Sequence, residues 1–352
     1  MFLKQLCLVL FLGLQSIVVS SQETTESCDV SCHCIRNLTP AGVMISHVHP
    51  KNEWMLSYRY MQMGMGTPIQ GRSTISELNV YTNYLGYTPS MHMDMHMVMG
   101  MVGITNRLTA MVMFNYLSNS MPMNMMSGHS HHGMTMSTDA HMDMHTNGLG
   151  DTKLHALYGI VKNTTTQLVA SLGVSLPSGS IQLKGLNNDM FYAGNRLPYM
   201  MQLGSGTVDA LPGVTFVTQQ ENLTYSAQVQ GIVRLNTNKV GYQFGDEINA
   251  TTWLGYNWWK GLGSSLRLEG NWVGTLRGSD PSMYSYNEIA TNTQNYGGIR
   301  LQGLAGLSYQ FQEGFIANHR IALEYGIPLY QKVNGIQNKL NQTWMASWSY
   351  SF

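Results

Sequence analysis

The chain has 352 residues, only 11% of them charged, with 19 basic and 19 acidic side chains and a formal net charge of zero. That balance excludes a nucleic-acid binder, which needs a basic patch or stripe. With 36 Gly, 19 Tyr and 7 Trp, and no apolar run of membrane-helix length beyond the N-terminus, the composition fits an all-β protein better than a helical one.

Residues 1–21 read as a secretory signal peptide: Lys4, an apolar run from Leu6 to Leu14, then small residues at Val19 and Ser21 that permit cleavage before Gln22. No lipobox precedes Cys28. Residues 22–52 then form an N-terminal periplasmic segment containing Cys and His. Cys7 leaves with the signal, so Cys28, Cys32 and Cys34 make either one disulfide and one free thiol or, with His33, a CxxxCHC metal-ligand set. Further on, His47 and His49 are two apart and point the same way if extended, a third ligand pair on the periplasmic side.

From residue 53 onward, twelve segments alternate apolar and polar side chains with turn signals between them. They span 53–63, 91–101, 106–117, 151–162, 166–176, 206–219, 223–236, 248–259, 264–276, 296–311, 317–328 and 341–352. Long connections such as 64–90, 118–150 and 177–205 alternate with short ones such as Gly103-Ile104-Thr105 and Asn163-Thr164-Thr165. A closed up-and-down antiparallel transmembrane β-barrel over 53–352 has this form, with tight periplasmic turns and extended external loops. An even strand number returns both ends to the periplasmic side, and closure removes the edges a bilayer does not tolerate. A soluble sandwich is the competing architecture, but it has no need of strict loop asymmetry. The final strand supports the barrel: Trp344, Trp348, Tyr350 and Phe352 share one face while Ser347, Ser349 and Ser351 share the other.

Methionine is the anomaly. Of 27 Met, 21 fall between Met44 and Met144, and ten of the twelve His fall between His33 and His145. The stretch 91–101, MHMDMHMVMGM, separates them by parity: Met91, Met93, Met95, Met97 and Met99 on one side, His92, Asp94 and His96 on the other. The apolar set is expected to face lipid and His92, Asp94 and His96 to face the lumen. Parity also puts Met61 and Met63 of one neighbouring strand, and Met111 and Met113 of the other, inside. Strands lie roughly 5 Å apart, so the four sulfurs would flank the His/Asp row. Thioethers suit Cu(I), and imidazole with carboxylate suits Cu(II), Ni(II) or Zn(II). Space-filling by an adaptable side chain is the plainer account of the Met residues.

The connection 118–150 has few Leu, Ile, Val or aromatic anchors. It is expected to be a mobile external loop whose His129, His131, His132, His141, Met142, Met144 and His145 collect metal weakly and reversibly. Compositional drift in a tolerated loop is the alternative.

Three stretches, GVMISHVHPKNEWMLSYRYMQMGM, MHMDMHMVMGMVGITNRLTAMVMFNY and GLGDTKLHALYGI, resemble bacterial outer-membrane proteins classed only as transporters. These are related to the barrel family named for a meta-cleavage pathway of phenol degradation. The resemblance covers about residues 42–352 and implies an outer-membrane barrel, without a catalytic residue to carry over. Neither the CxxxCHC segment nor the Met/His loop belongs to that pattern.

The expectation is an outer-membrane channel, not an enzyme, that binds or passes copper or a similar soft or borderline metal ion. It requires no other cofactor, and its partners are membrane lipid and the metal or solute. A passive barrel for small aromatic or apolar solutes is the second reading. A membrane-embedded hydrolase is the third, and no nucleophile motif stands near His155 or His319 to support it. Nothing in the sequence fixes an oligomeric state.

Overall fold

Each of the twelve predicted segments is a strand in the computed structural model, which describes residues 38–125, 130–131, 134–135, 140–185, 195–259, 261–283 and 288–352, with side chains omitted between 126 and 140. The strands are β1 (Trp54–Gln70), β2 (Ser90–Gly103), β3 (Leu108–Met125), β4 (Thr152–Lys162), β5 (Thr166–Leu176), β6 (Asp209–Gln220), β7 (Leu223–Arg234), β8 (Glu247–Trp259), β9 (Leu262–Val273), β10 (Gly298–Gln310), β11 (His319–Val333) and β12 (Ile336–Ser351). Each pairs antiparallel with the next, and β1 pairs with β12 from Met55↔Ser351 to Gln70↔Ile336, so the sheet closes on itself. Closure satisfies every strand edge internally, the condition for backbone to cross hydrocarbon. At the seam Trp54 and Phe352 exchange backbone hydrogen bonds of 2.9 Å, at the same end as the short turns.

Alternation is read out as oil outside. Trp54, Leu56, Phe114, Leu154, Tyr158, Leu172, Leu254, Leu266, Leu323 and Trp344 are all exposed, a density of bare apolar side chains that water would not tolerate and lipid requires. Inward positions carry Ser57, Thr109, Asn115, Gln167, Thr215, Gln228, Arg267 and Glu324, all buried.

Several strands run past their expected outer ends. β1 reaches Gln70 and β12 begins at Ile336 because the two stay paired beyond the membrane band. β3 continues to Met125, pairing with Ala140–Leu149 from Tyr116↔Leu149 to Met125↔Ala140. The connection 118–150 is therefore not an unpacked loop along these stretches. Met121, Met123, Met125, Met142 and Met144 point inward and are no more than 7% exposed, so methionine supplies the anchors that Leu and Ile were expected to provide.

Candidate functional site in the barrel lumen

Residues 38–50 cross the periplasmic half of the lumen as an extended strap. A backbone inside a barrel must find partners for its polar groups, and lumen side chains supply them. Arg320 donates to Thr39 O (2.5 Å), Arg59 to Val43 O (2.9 Å), Gln228 to Met44 O (2.7 Å) and Thr215 to Ile45 O (3.0 Å), while His49 N donates to Thr109 Oγ1 (2.8 Å). The Arg267 guanidinium forks onto Glu324 at 2.7 and 3.0 Å and also pairs with Glu269. Gly42 N donates to the same Glu324 at 2.9 Å. A Cβ at Gly42 would overlap Arg267 and Met345, so glycine is required where the strap meets this ion pair. Apolar strap residues complete the fit: Ile45 and Val48 pack with Met55, Met97, Met99, Met101, Met111 and Met113.

At the outer mouth, described loop residues clasp one another. Thr88, before β2, donates to Glu288 (2.8 Å), and Asn295 donates to Tyr84 (2.7 Å). Arg196 pairs with Asp280 at 2.7 Å, and the rings of Tyr199 and Tyr242 meet at 4.7 Å. Burial pushes both of these hydroxyls above the ordinary phenol range, and the Tyr199 hydroxyl accepts from Asp280 N at 3.0 Å. Beneath them Leu197, Met201 and Ala290 pack onto Met65, Met91, Met121, Met123, Met142 and Met144.

Between strap and cap lies a chamber of about 310 Å³. Met61, Met95, Met97, Met113 and Met345 form one side, and Lys153, His155, Gln228, Glu247, Asn249, Glu269 and Asn271 belong to the other. Met345, Met61 and Met95 stand directly opposite one another on β12, β1 and β2. Methionine therefore lines one wall from the mouth to the strap.

This corrects the face assignment of β2. Register pairs Tyr58 with Val98, Tyr60 with His96 and Gln62 with Asp94, so His92, Asp94 and His96 share the outward face of β1, and Met91, Met97 and Met99 are buried inside. The His/Asp row runs from His96, at the middle of β2, to His92 near its outer end. Tyr58, Tyr60, His96 and Tyr116 make an aromatic girdle, with His96 5.2 Å from the Tyr60 ring and 6.3 Å from Tyr116. Above it the outward positions are polar. The Tyr58 hydroxyl bonds His96 Nδ1 at 2.7 Å, and Asp94 accepts from Tyr60 (2.5 Å) and Gln62 (3.2 Å).

The other predicted positions divide as follows. Met61, Met63, Met111 and Met113 face inward as expected, without the imidazoles that were to accompany them. His141 and His145 are exposed on the outward face of the 140–149 strand, and His141 Nδ1 lies 2.7 Å from Asn124 Oδ1. His129 and His132 lie outside the described residues, as do Cys28, Cys32, His33 and Cys34, and of His131 only the backbone is described. His47 and His49 do come together, with ring centroids 4.8 Å apart, and His49 Nδ1 lies 3.2 Å from Glu53. Among the described residues no group of three His, Cys, Asp or Glu converges on a metal position. Sequence reasoning leaves open whether residues 22–50 plug the lumen. A trace of the strap is the set of inward glycines: a Cβ at Gly159 would press on Val48, and one at Gly255 or Gly263 on Leu38.

Closed sheet, apolar exterior and girdle together define a transmembrane β-barrel of the bacterial outer membrane. The chain is similar in structure to an outer membrane channel from Pseudomonas putida F1, with a TM-score of 0.57 and 14% identity over 87% of this chain and 97% of that one. A Pseudomonas aeruginosa FadL homologue aligns over 85% of this chain and 90% of its own, at a TM-score of 0.43 and 9% identity. The Pseudomonas putida toluene transporter TodX aligns over 86% and 90%, at 0.39 and 11%. At 14% identity the first likeness is one of fold. No family model matches the sequence, and no curated protein does.

Proposed function

We propose that this barrel is an outer-membrane channel that binds and passes copper as Cu(I) along its methionine wall. The observation that carries the reading is the inward row of Met61, Met95, Met97, Met113 and Met345 along one side of the chamber. Thioether sulfur is a soft, neutral ligand that favours Cu(I) over harder divalent ions, and many weak neighbouring ligands allow an ion to move on rather than stay. With His92, Asp94 and His96 outside, the wall has no imidazole-carboxylate set for Cu(II), so the metal reading narrows to the reduced ion. Exposed His141 and His145 supply first contacts for metal at the surface. The resemblance to barrels related to phenol degradation adds support for a transport role without naming a cargo.

The test is titration of the folded protein with Cu(I) against a chromogenic competitor, Cys28, Cys32 and Cys34 being replaced by Ser so that thiolates do not hold the metal. Wild type should bind several equivalents of Cu(I) reversibly. Combined Met61, Met95, Met97 and Met113→Leu should lose most of that binding, and His92→Ala with His96→Ala should leave it unchanged. Full binding by the Leu variant overturns the reading.

One observation favours a second reading, passage of small apolar solutes. Pro212 and Gly231 occupy outward positions, yet both also line the chamber. The β6–β7 ladder is interrupted between Ala210↔Val233 and Gly213↔Gln230, because Pro212 has no N–H to donate. The wall is thin there, and an apolar molecule crossing it would enter lipid.

A further inference from the structure

Two lumen arginines stand apart from the ion pairs already described. Arg59 on β1 and Arg320 on β11 lie on either side of β12, where Ser349 is paired with Arg320 and with Ser57, and Ser347 with Arg59. Short side chains between two long ones leave a hollow in the wall, and the strap covers it. The result is a cavity of about 70 Å³ bordered by Thr39 and Pro40 of the strap, by both arginines, and by Ser347 and Ser349.

Each guanidinium donates one N–H to the strap, Arg59 to Val43 O and Arg320 to Thr39 O. The rest of each fork is unmatched: Nε and Nη1 of Arg59 and Nε of Arg320 are buried with no hydrogen-bond partner among the described residues. The carboxylates on the adjoining strands do not answer them, because Glu269 and Glu324 both pair with Arg267. Among these five charged groups one positive charge is in excess, and a charge held away from water is costly without an ionic partner. A guanidinium fork matches the two oxygens of a carboxylate. On its other side the cavity meets Met55, Met99 and Met101, an apolar surface that suits a hydrocarbon tail and not a second charge.

We propose that Arg59 and Arg320 bind a small monocarboxylate with a short apolar tail, held between the strap and the barrel wall. The carboxylate takes the unmatched guanidinium N–H groups and the serine hydroxyls, and the tail lies against the methionines. The site is on the periplasmic side of the Arg267–Glu324 pair, and it does not rest on the methionine-wall reading.

The test uses the full mature chain in micelles, checked for a folded barrel by heat-modifiable gel mobility. Radiolabelled butyrate is measured by equilibrium dialysis against micelles without protein, with butyramide and inorganic phosphate as competitors. Wild type should hold one equivalent of butyrate that neutral butyramide does not displace. Arg59→Gln and Arg320→Gln should each weaken binding at least about tenfold, and Arg59→Lys, which keeps the charge without the fork, should recover only part of it. Because both arginines also hold the strap, Ser347→Val is the second variant. It fills the floor of the cavity, suits a strand, leaves the strap contacts in place, and should weaken binding as much. No butyrate bound by wild type, or displacement by butyramide, overturns the site. So does loss in the arginine variants with Ser347→Val binding like wild type, which would put the strap and not the cavity behind the effect. Phosphate bound in preference to butyrate overturns the monocarboxylate assignment.

Discussion

The Tyr60 hydroxyl donates to Asp94 across β1 and β2 at 2.5 Å, on the outer surface of the barrel. That hydrogen bond fixes the parity of β2: if Asp94 is outside with Tyr60, Met95 is inside with Met61. Asp94→Cys should therefore react with a bulky membrane-impermeant maleimide on intact cells, while Met95→Cys reacts slowly, the unsubstituted chain giving the baseline from native cysteines. Equal labelling of the two would break the assignment and remove the methionine wall.

The existence and order of the twelve strands were legible because alternation and turn residues report local backbone geometry, which the barrel does not override. Which face of 91–101 looks inward was not legible. Parity separates two sets but does not say which meets lipid, and apolarity misleads when the lumen itself is filled. Val98 marks the lipid side, and the polar positions on that side begin only at the girdle. Whether residues 22–50 plug the lumen stays open in the sequence because Ala41, Val43, Ile45 and Val48 are too few to give a periodic signal, and what orders them is contact with residues from most of the strands. His155 enters the sequence reading only as lacking a nucleophile motif nearby, whereas its cross-strand neighbours Met111 and Gly173 arrive from other strands.

Glu324 and Arg267 are 2% and 4% exposed, so their ion pair is a buried one. Removing Glu324 leaves the buried Arg267 guanidinium with Glu269 as its remaining carboxylate and Gly42 N without its acceptor. The cost is up to about 3–5 kcal/mol, that of a broken buried pair, whereas replacing both by apolar residues of similar size is often tolerated. Glu324→Ala should lower the urea unfolding free energy of the barrel by up to that amount. Arg267→Met combined with Glu324→Leu should recover most of it. Equal loss in the single and double variants would show that the pair does not act as a unit.

Gly42→Val places a side chain against Arg267, Met345 and Glu324. Overpacking of this kind costs about 1–3 kcal/mol, and the strap can relieve it by leaving the lumen. Planar-bilayer recordings should then show a larger or more frequently open conductance than wild type. Unchanged conductance with a fully folded barrel would mean that the strap is not what limits passage.

Pro212→Val tests the thin place in the wall. Valine restores the N–H that β6 lacks, fits a strand, and keeps the outward position apolar, so the ladder with β7 can close between Ala210↔Val233 and Gly213↔Gln230. If the chamber serves Cu(I), binding and silver flux in liposomes should be the same as in wild type, because the methionine wall lies on other strands. Loss of uptake of a small aromatic solute in this variant, with Cu(I) binding absent from wild type, would instead identify the chamber as an apolar-solute route that opens sideways into lipid.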